Sequence, residues 1–465
     1  MRSVMDEGAH TTAVERLGSF AARLSVDGLP APVVERAKAC LLHALVVGRA
    51  GVVAEFGDRA ERTSAGWAHQ PGRQGFARSL WSGRWHTAET AAFINGVHLH
   101  ARAQEDTHGT FHAGVCVIPA ALAAAESGGA DGATVLAAVA AGYEVGIALS
   151  DPLTERTTPP FRATAVFGPM AAAAAAGRVF GFDTATITSA LAIAASLSGG
   201  TAESFGAGTD EWHYQSGSAA ALGLRAATLA AAGVIGSRTA IESASGFLEC
   251  FADRAESAIA EDLGRVWHIL GVTFKPYPVC AFNQTPAMLA VRMRRNGTCA
   301  QEVSSIRLAM NEREATYPGM AAERPFVSVA NTLMSARFAF AAGLVHGTVT
   351  YDALSDFTDD DVLRLVDRID LVAEPDRNPK TAHATVVRSD GSSVVDAIDD
   401  SEPLLSWSFG EVLANAERLA RETRISSAEL DALVAAVNSI EQSSSPDSLI
   451  CAALPKTSAT EGNQR

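Results

Sequence analysis

The chain predicts a mainly α-helical protein, a large all-helical domain with a smaller α+β domain, and three observations carry that expectation. Its 465 residues exceed what one hydrophobic core usually organises, so two domains are expected. It is 48% hydrophobic but only 6% aromatic, so the apolar mass is alanine, valine and leucine, which suits closely packed helices better than an aromatic-rich sandwich. Past about Leu270 the helical spacing gives way to alternation, which marks the second domain.

Taken in order, residues 1–10 read as frayed, and Val14, Leu17, Phe20 and Leu24 fall at helical spacing. Pro30-Ala31-Pro32 opens a second helix through Val33, Ala37, Leu41 and Val46, and a looser stretch follows it through Gly66, Gly72 and Gly75. Ala88–Gly96, Val115–Glu126, Ala133–Leu149, Ala165–Phe180, Thr186–Leu197, Ala219–Ala232 and Thr239–Ala252 read as further helices, with a polar loop over Asp151–Arg162. The run Ala171–Ala176 lets neighbours approach closely and places its helix centrally. Val303–Met310, Arg368–Ala373, Ala382–Arg388 and Ser393–Ala397 alternate as strands, with a hairpin signal at Ser389-Asp390-Gly391 and helices at Ser335–Leu344 and Asp359–Asp367. The domain expectation is therefore 12–269 helical, 270–403 α+β, 404–440 a helical return to the first domain, and 441–465 a disordered Ser/Thr/Pro-rich tail. There is no internal repeat.

A formal net charge of −15 without any Lys/Arg block speaks against nucleic acid and anionic membranes as partners. No signal-peptide core is evident, and the Ala-rich runs are broken by Gly, Glu and Arg short of a membrane span, so a soluble cytoplasmic protein is expected. The six cysteines form no C-x-x-C pair and read as free thiols in a reducing compartment; only Cys280 lies in a polar motif, and as a nucleophile it lacks a partner base.

The functional signal concentrates in Val97–Gly114, which holds four of the 12 histidines, two acids and an arginine between apolar helices. Desolvating so many titratable groups demands either a satisfied polar knot or a reaction centre. His98 and His100 stand two apart, point in different directions on a helix and have no cysteine beside them, so no metal site is assigned.

Several motifs resemble the MmgE/PrpD family: Asp106-Thr107-His108 with His112-Ala113-Gly114, Gly142-Tyr143-Glu144, Thr164-Ala165-Val166-Phe167-Gly168, Ser216-Gly217-Ser218-Ala219-Ala220, Glu242-Ser243-Ala244-Ser245-Gly246-Phe247 and Lys275-Pro276-Tyr277-Pro278-Val279-Cys280. The resemblance implies that the smaller α+β domain is a lid domain, and it implies a homodimer, no metal or organic cofactor, and a site between the two domains that acts on a small carboxylate. It assigns Asp106 and His112 to the matching site positions. Arg162 and Gln284 stand where that family usually has histidines, and Asp210–Gln215 lacks its lysine.

Physically, His112 suits a general base acting next to a carboxylate, and Asp106 is the candidate to hold its ring. The structural alternative is that His112 caps the next helix while Asp106 binds a backbone amide. His213 and Tyr214 are the candidates for a second acid or base. Arg162 and Lys275 suit carboxylate anchoring, and Thr107, His108, Trp212, Gln215, Tyr277 and Gln284 complete the candidate substrate-binding set. Trp212 and Tyr214 add apolar surface, which suggests a substrate with an apolar arm. The expected activity is a cofactor-independent lyase of the dehydratase type on a small hydroxy or unsaturated carboxylic acid. An epimerase or isomerase, a decarboxylase and a non-catalytic binding protein are the alternatives.

Overall fold

The computed structural model describes residues 11–64, 74–151, 160–251 and 259–455. The expected fraying of 1–10, most of the polar loop after Asp151 and the last ten residues lie outside that set.

Small side chains decide the architecture. The helix Ala163–Val179 carries the run Ala171–Ala176, fully buried, and packs against Gly114–Gly128, Gly132–Ser150, Thr184–Leu197 and Glu211–Ala231. Gly223 shows how close the approach is. A Cβ there would lie 2.6 Å from both the Ala173 nitrogen and the Pro169 carbonyl oxygen, which as backbone atoms cannot swing aside. Gly223→Ala is therefore expected to cost about 1–3 kcal/mol, read as a lower urea midpoint at unchanged m-value.

The helices Phe409–Thr423 and Ser427–Asn438 start from capping boxes, Ser408 with Glu411 and Ser426 with Glu429, and lay Val412, Leu419, Leu430 and Leu433 into the same core, against Ala31–Ala50. The chain does not become a disordered tail at 441. Asp447–Ala453 is a helix that buries Leu449 and Ile450, an apolar pair hidden from a composition-based reading by the surrounding serines. Two helices, Ala31–Ala54 and Gly132–Ser150, are long and apolar enough to cross a membrane, contrary to the expectation that such runs are interrupted; 83% and 89% of their apolar windows are buried inside the protein.

The strands are β1 (Phe76–Arg78), β2 (Trp85–Thr87), β3 (Asp106–Thr107), β4 (Thr273–Phe274), β5 (Val303–Asn311), β6 (Ile369–Glu374), β7 (Ala382–Arg388) and β8 (Ser393–Ile398). The last four form one sheet in the order β6-β5-β7-β8, parallel only between β5 and β6. The helices Gln284–Arg295 and Ala336–His346 cover it and complete a second core. That core also takes in Ala103, Ala202, Phe205 and Trp212 from the helical part, so the two cores meet along a seam.

Three sequence expectations change. The helix Phe56–Arg62 and the hairpin β1–β2 flank the stretch read as loose, whose Gly66 and Gly72 lie outside the described residues. The helix expected over Thr239–Ala252 shrinks to Phe247–Phe251, because Gly246 and its serine neighbours turn the chain first. The helix read from Ala219 begins at Glu211, which puts Trp212, His213, Tyr214 and Gln215 on its first turns.

Candidate active site

A two-residue ladder sets the site. β3 and β4 pair antiparallel with Asp106 opposite Phe274, and Glu105 and Lys275, one residue beyond that pair, meet. Alternation on an extended strand sends Glu105 and Asp106 to opposite sides. Asp106 turns into the helical core, where it accepts from Gly114 N at 3.1 Å and from the Tyr143 hydroxyl. Gly114 permits this, since a Cβ there would lie 2.7 Å from both Asp106 Oδ1 and the Tyr143 oxygen. Burial pushes the Asp106 carboxyl up to about 6, against the pull of those two bonds.

The acid that holds His112 is Glu105, which the sequence reading did not single out. Glu105 is 1% exposed. Its Oε1 lies 2.5 Å from Lys275 Nζ and 2.8 Å from His112 Nδ1, and its Oε2 lies 2.9 Å from His100 Nδ1. Burial raises its pKa, but His100, Lys275 and His112 outweigh that and hold it well below the usual carboxylate range. The expected Asp106–His112 pair is thus corrected: the two acids are sequence neighbours on opposite faces, and Asp106 binds a backbone amide.

Lys275 also donates to the Ala103 carbonyl at 2.7 Å, and Ala103 is held at φ 52°, a left-handed conformation that costs a residue with a Cβ about 1–3 kcal/mol. His100 is fixed from both sides. An Arg162 N–H donates to its Nε2 at 2.5 Å, and an arginine has no lone pair to offer, so the imidazole proton sits on Nδ1, facing Glu105. Arg162 also donates to the Trp212 carbonyl and, at 3.3 Å, to Gln215 Oε1, and its guanidinium lies 5.6 Å from the Phe205 and Trp212 ring centres.

These groups line a small cavity at the seam. His112, Glu105, Lys275 and Arg162 form its polar side; Phe205, Trp212, Phe282, Leu333 and Met334 form its apolar side, and Tyr317 and Cys280 also reach it. The Arg162 Nε and Trp212 Nε1 are buried donors without protein partners. With Glu105 ionised and both histidines neutral, Lys275 and Arg162 leave one net positive charge, suited to an anion.

Burial, reinforced by Lys275, depresses His112 to about 4, and burial depresses His100 to about 3. Burial likewise lowers His43 to about 4 and His98 to about 3. These four are neutral in the folded protein and charge on unfolding, so the stability they confer is complete above about pH 6.5 and is lost as pH falls toward 3. Glu144 and Glu314, raised by burial to about 7, and Asp106, raised to about 6, oppose that slope while their unfolded forms still ionise. Urea midpoints are therefore expected to change gently from pH 6.5 to 5 and to collapse below about 4.5, where the histidine contribution and that of the depressed carboxylates Glu105 and Glu15 are lost together.

The other candidates fall elsewhere. His213 is buried and stacked between Phe56 and Trp212, with ring centres 3.7 and 3.6 Å away. Tyr214 stacks on Phe93, off the cavity. Thr107 donates to the Gly109 carbonyl at 2.8 Å within its own turn, and His108 meets Asp151 at 3.2 Å at an outer chamber. Gln284 donates to the Tyr277 and Val279 carbonyls and accepts from Tyr277 N, so it knits the Pro-Tyr-Pro loop; Tyr277 packs beneath Arg418. Neither lines the cavity. Among the described residues no group of three or more His, Cys, Asp or Glu is arranged to hold a metal ion. Glu105, His100 and Tyr317 were missed, and strand alternation opposite Lys275 was the signal for the first.

Residues 15–260 match the MmgE/PrpD N-terminal domain and residues 277–402 the MmgE/PrpD C-terminal domain. This chain belongs to the MmgE/PrpD family. Relatives within the family include a cis-aconitate decarboxylase of Aspergillus terreus, 25% identical over 85% of this chain and 86% of that protein. The human cis-aconitate decarboxylase is 25% identical over 81% of this chain and 80% of that protein. An Aspergillus oryzae protein described as cis-aconitate decarboxylase-like is also 25% identical, over 85% and 88%. Most of the first core lies in the N-terminal match, with its part from Val412 to Ala453 outside both; most of the second lies in the C-terminal match, and the cavity lies where the cores meet.

Proposed function

We propose that this chain is a lyase acting on a small unsaturated or hydroxy carboxylic acid, with His112 as the base that removes a proton next to the carboxylate. One observation carries the reading: His112, a neutral imidazole whose Nδ1 lies 2.8 Å from Glu105, shares a cavity with the buried, unpartnered N–H groups of Arg162 and Trp212. A substrate carboxylate accepts from those donors. His112 Nε2 then takes the α-proton, Glu105 stabilises the imidazolium through Nδ1–H, and Lys275 and Arg162 offset the enolate charge. In an elimination the β-hydroxyl leaves as water with a proton from Tyr317, whose phenol burial keeps protonated. The apolar wall of Phe205, Trp212 and Phe282 calls for a substrate with fewer charges than a tricarboxylate. The same reading takes the protein as a cytoplasmic homodimer that needs no cofactor.

Decarboxylation is the second reading, favoured by that apolar wall, which destabilises a carboxylate more than it does carbon dioxide, and by what the relatives are named for. Incubation with a panel of unsaturated and hydroxy dicarboxylates in deuterated water, followed by NMR and carbon dioxide release, tests both. Vinyl signals with release of water support elimination, and carbon dioxide release supports decarboxylation. Exchange of the α-hydrogen alone would indicate epimerisation. Binding with neither exchange nor product would overturn the catalytic reading.

A further inference from the structure

The inner cavity does not end the accessible space at the seam. A second, larger chamber shares Thr110, Phe282 and Tyr317 with it as lining, so the two adjoin. The Phe282 and Tyr317 rings meet edge to face with centres 5.2 Å apart and border both spaces, which makes the passage an apolar neck.

Beyond the neck the chamber carries one built polar feature. Glu314 is 3% exposed, yet only one of its oxygens is used. Oε1 accepts the backbone N–H of Lys380 at 2.7 Å, while Oε2 is buried without a partner. Lys380 is held at φ 58°, so a strained backbone conformation accompanies that single bond. Leaving a buried carboxyl oxygen unmatched is unfavourable, and a ligand group that pairs with it recovers that cost.

We propose that the outer chamber is a second substrate compartment, taking the arm of a carboxylate whose far end is an amide or hydroxyl recognised by Glu314. This rests on the proposed function for the carboxylate end of the ligand. The apolar neck suits a methylene arm. Arg313 and Lys380 balance Glu314 and Glu402 on the chamber wall, which suits a neutral end. An amide or hydroxyl both donates and accepts, so it pairs with Glu314 whether that carboxyl is ionised or, as burial favours, protonated near neutral pH.

The test is calorimetric binding of succinate and of 2-alkylsuccinates with arms of increasing length, each ended by either a methyl or a primary amide. At the best length the amide-ended probe is expected to bind about tenfold tighter than its methyl-ended match. Glu314→Leu is expected to erase that preference and leave succinate affinity unchanged. Equal binding of the matched pair at every length, a comparison that needs no variant, would overturn the proposal. So would a Glu314→Leu protein that folds normally but loses succinate affinity to the same extent. If succinate does not bind, or binds equally well to Arg162→Met, the proposed function fails and the second compartment with it; succinate binding that depends on Arg162 without any arm effect defeats the second compartment alone.

Discussion

Replacing His112 with glutamine is expected to lower kcat/KM about a thousandfold while leaving substrate affinity within a few fold. The amide preserves volume and hydrogen bonding but cannot take a proton, and positioned general bases contribute about 10²–10⁴. Because His112 is 15% exposed at its side chain and is not a packing keystone, the variant should fold with a near-native midpoint. The decisive readout is solvent-deuterium exchange at the carbon next to the carboxylate, which should vanish with turnover. Retained exchange in the glutamine variant would move the base elsewhere, with Tyr317 the first alternative on the cavity wall.

The largest expected effect on stability lies one strand residue before Asp106. Glu105→Leu leaves Lys275, 2% exposed, without its carboxylate and releases both imidazoles from their acceptor. Breaking a buried pair in this way costs about 3–5 kcal/mol, a large share of the stability of an ordinary domain. Adding Lys275→Met removes the orphaned charge, so the double variant is expected to recover most of the lost midpoint in urea and none of the activity. A double variant as unstable as Glu105→Leu alone would show that the carboxylate matters through the histidines and not through the lysine.

Much of this organisation was legible in the residues because the forces that set it are local. Helical spacing, the alanine run and the late alternation gave the two-layer division, since small apolar side chains and strand periodicity act over a few residues. His112, Arg162, Trp212 and Lys275 share one cavity. The choice between two adjacent acids was not legible. It depends on which face of a two-residue ladder each presents, and that ladder joins segments far apart in the sequence. The same reason hid Tyr317, which enters from the second core, and misplaced Gln284, whose amide is spent on its own loop. Trp212 to Gln215 read as a segment ahead of a helix; on its first turns they instead face different ways, with Trp212 toward the cavity and Tyr214 away from it.

The β3–β4 ladder has a consequence for the protein's birth. Glu105 is translated 170 residues before Lys275, and until that lysine leaves the ribosome the acid has no cation against it. Competence arrives later still, when Phe282, Tyr317, Leu333 and Met334 of the second core follow the dipeptide strand and complete the cavity wall.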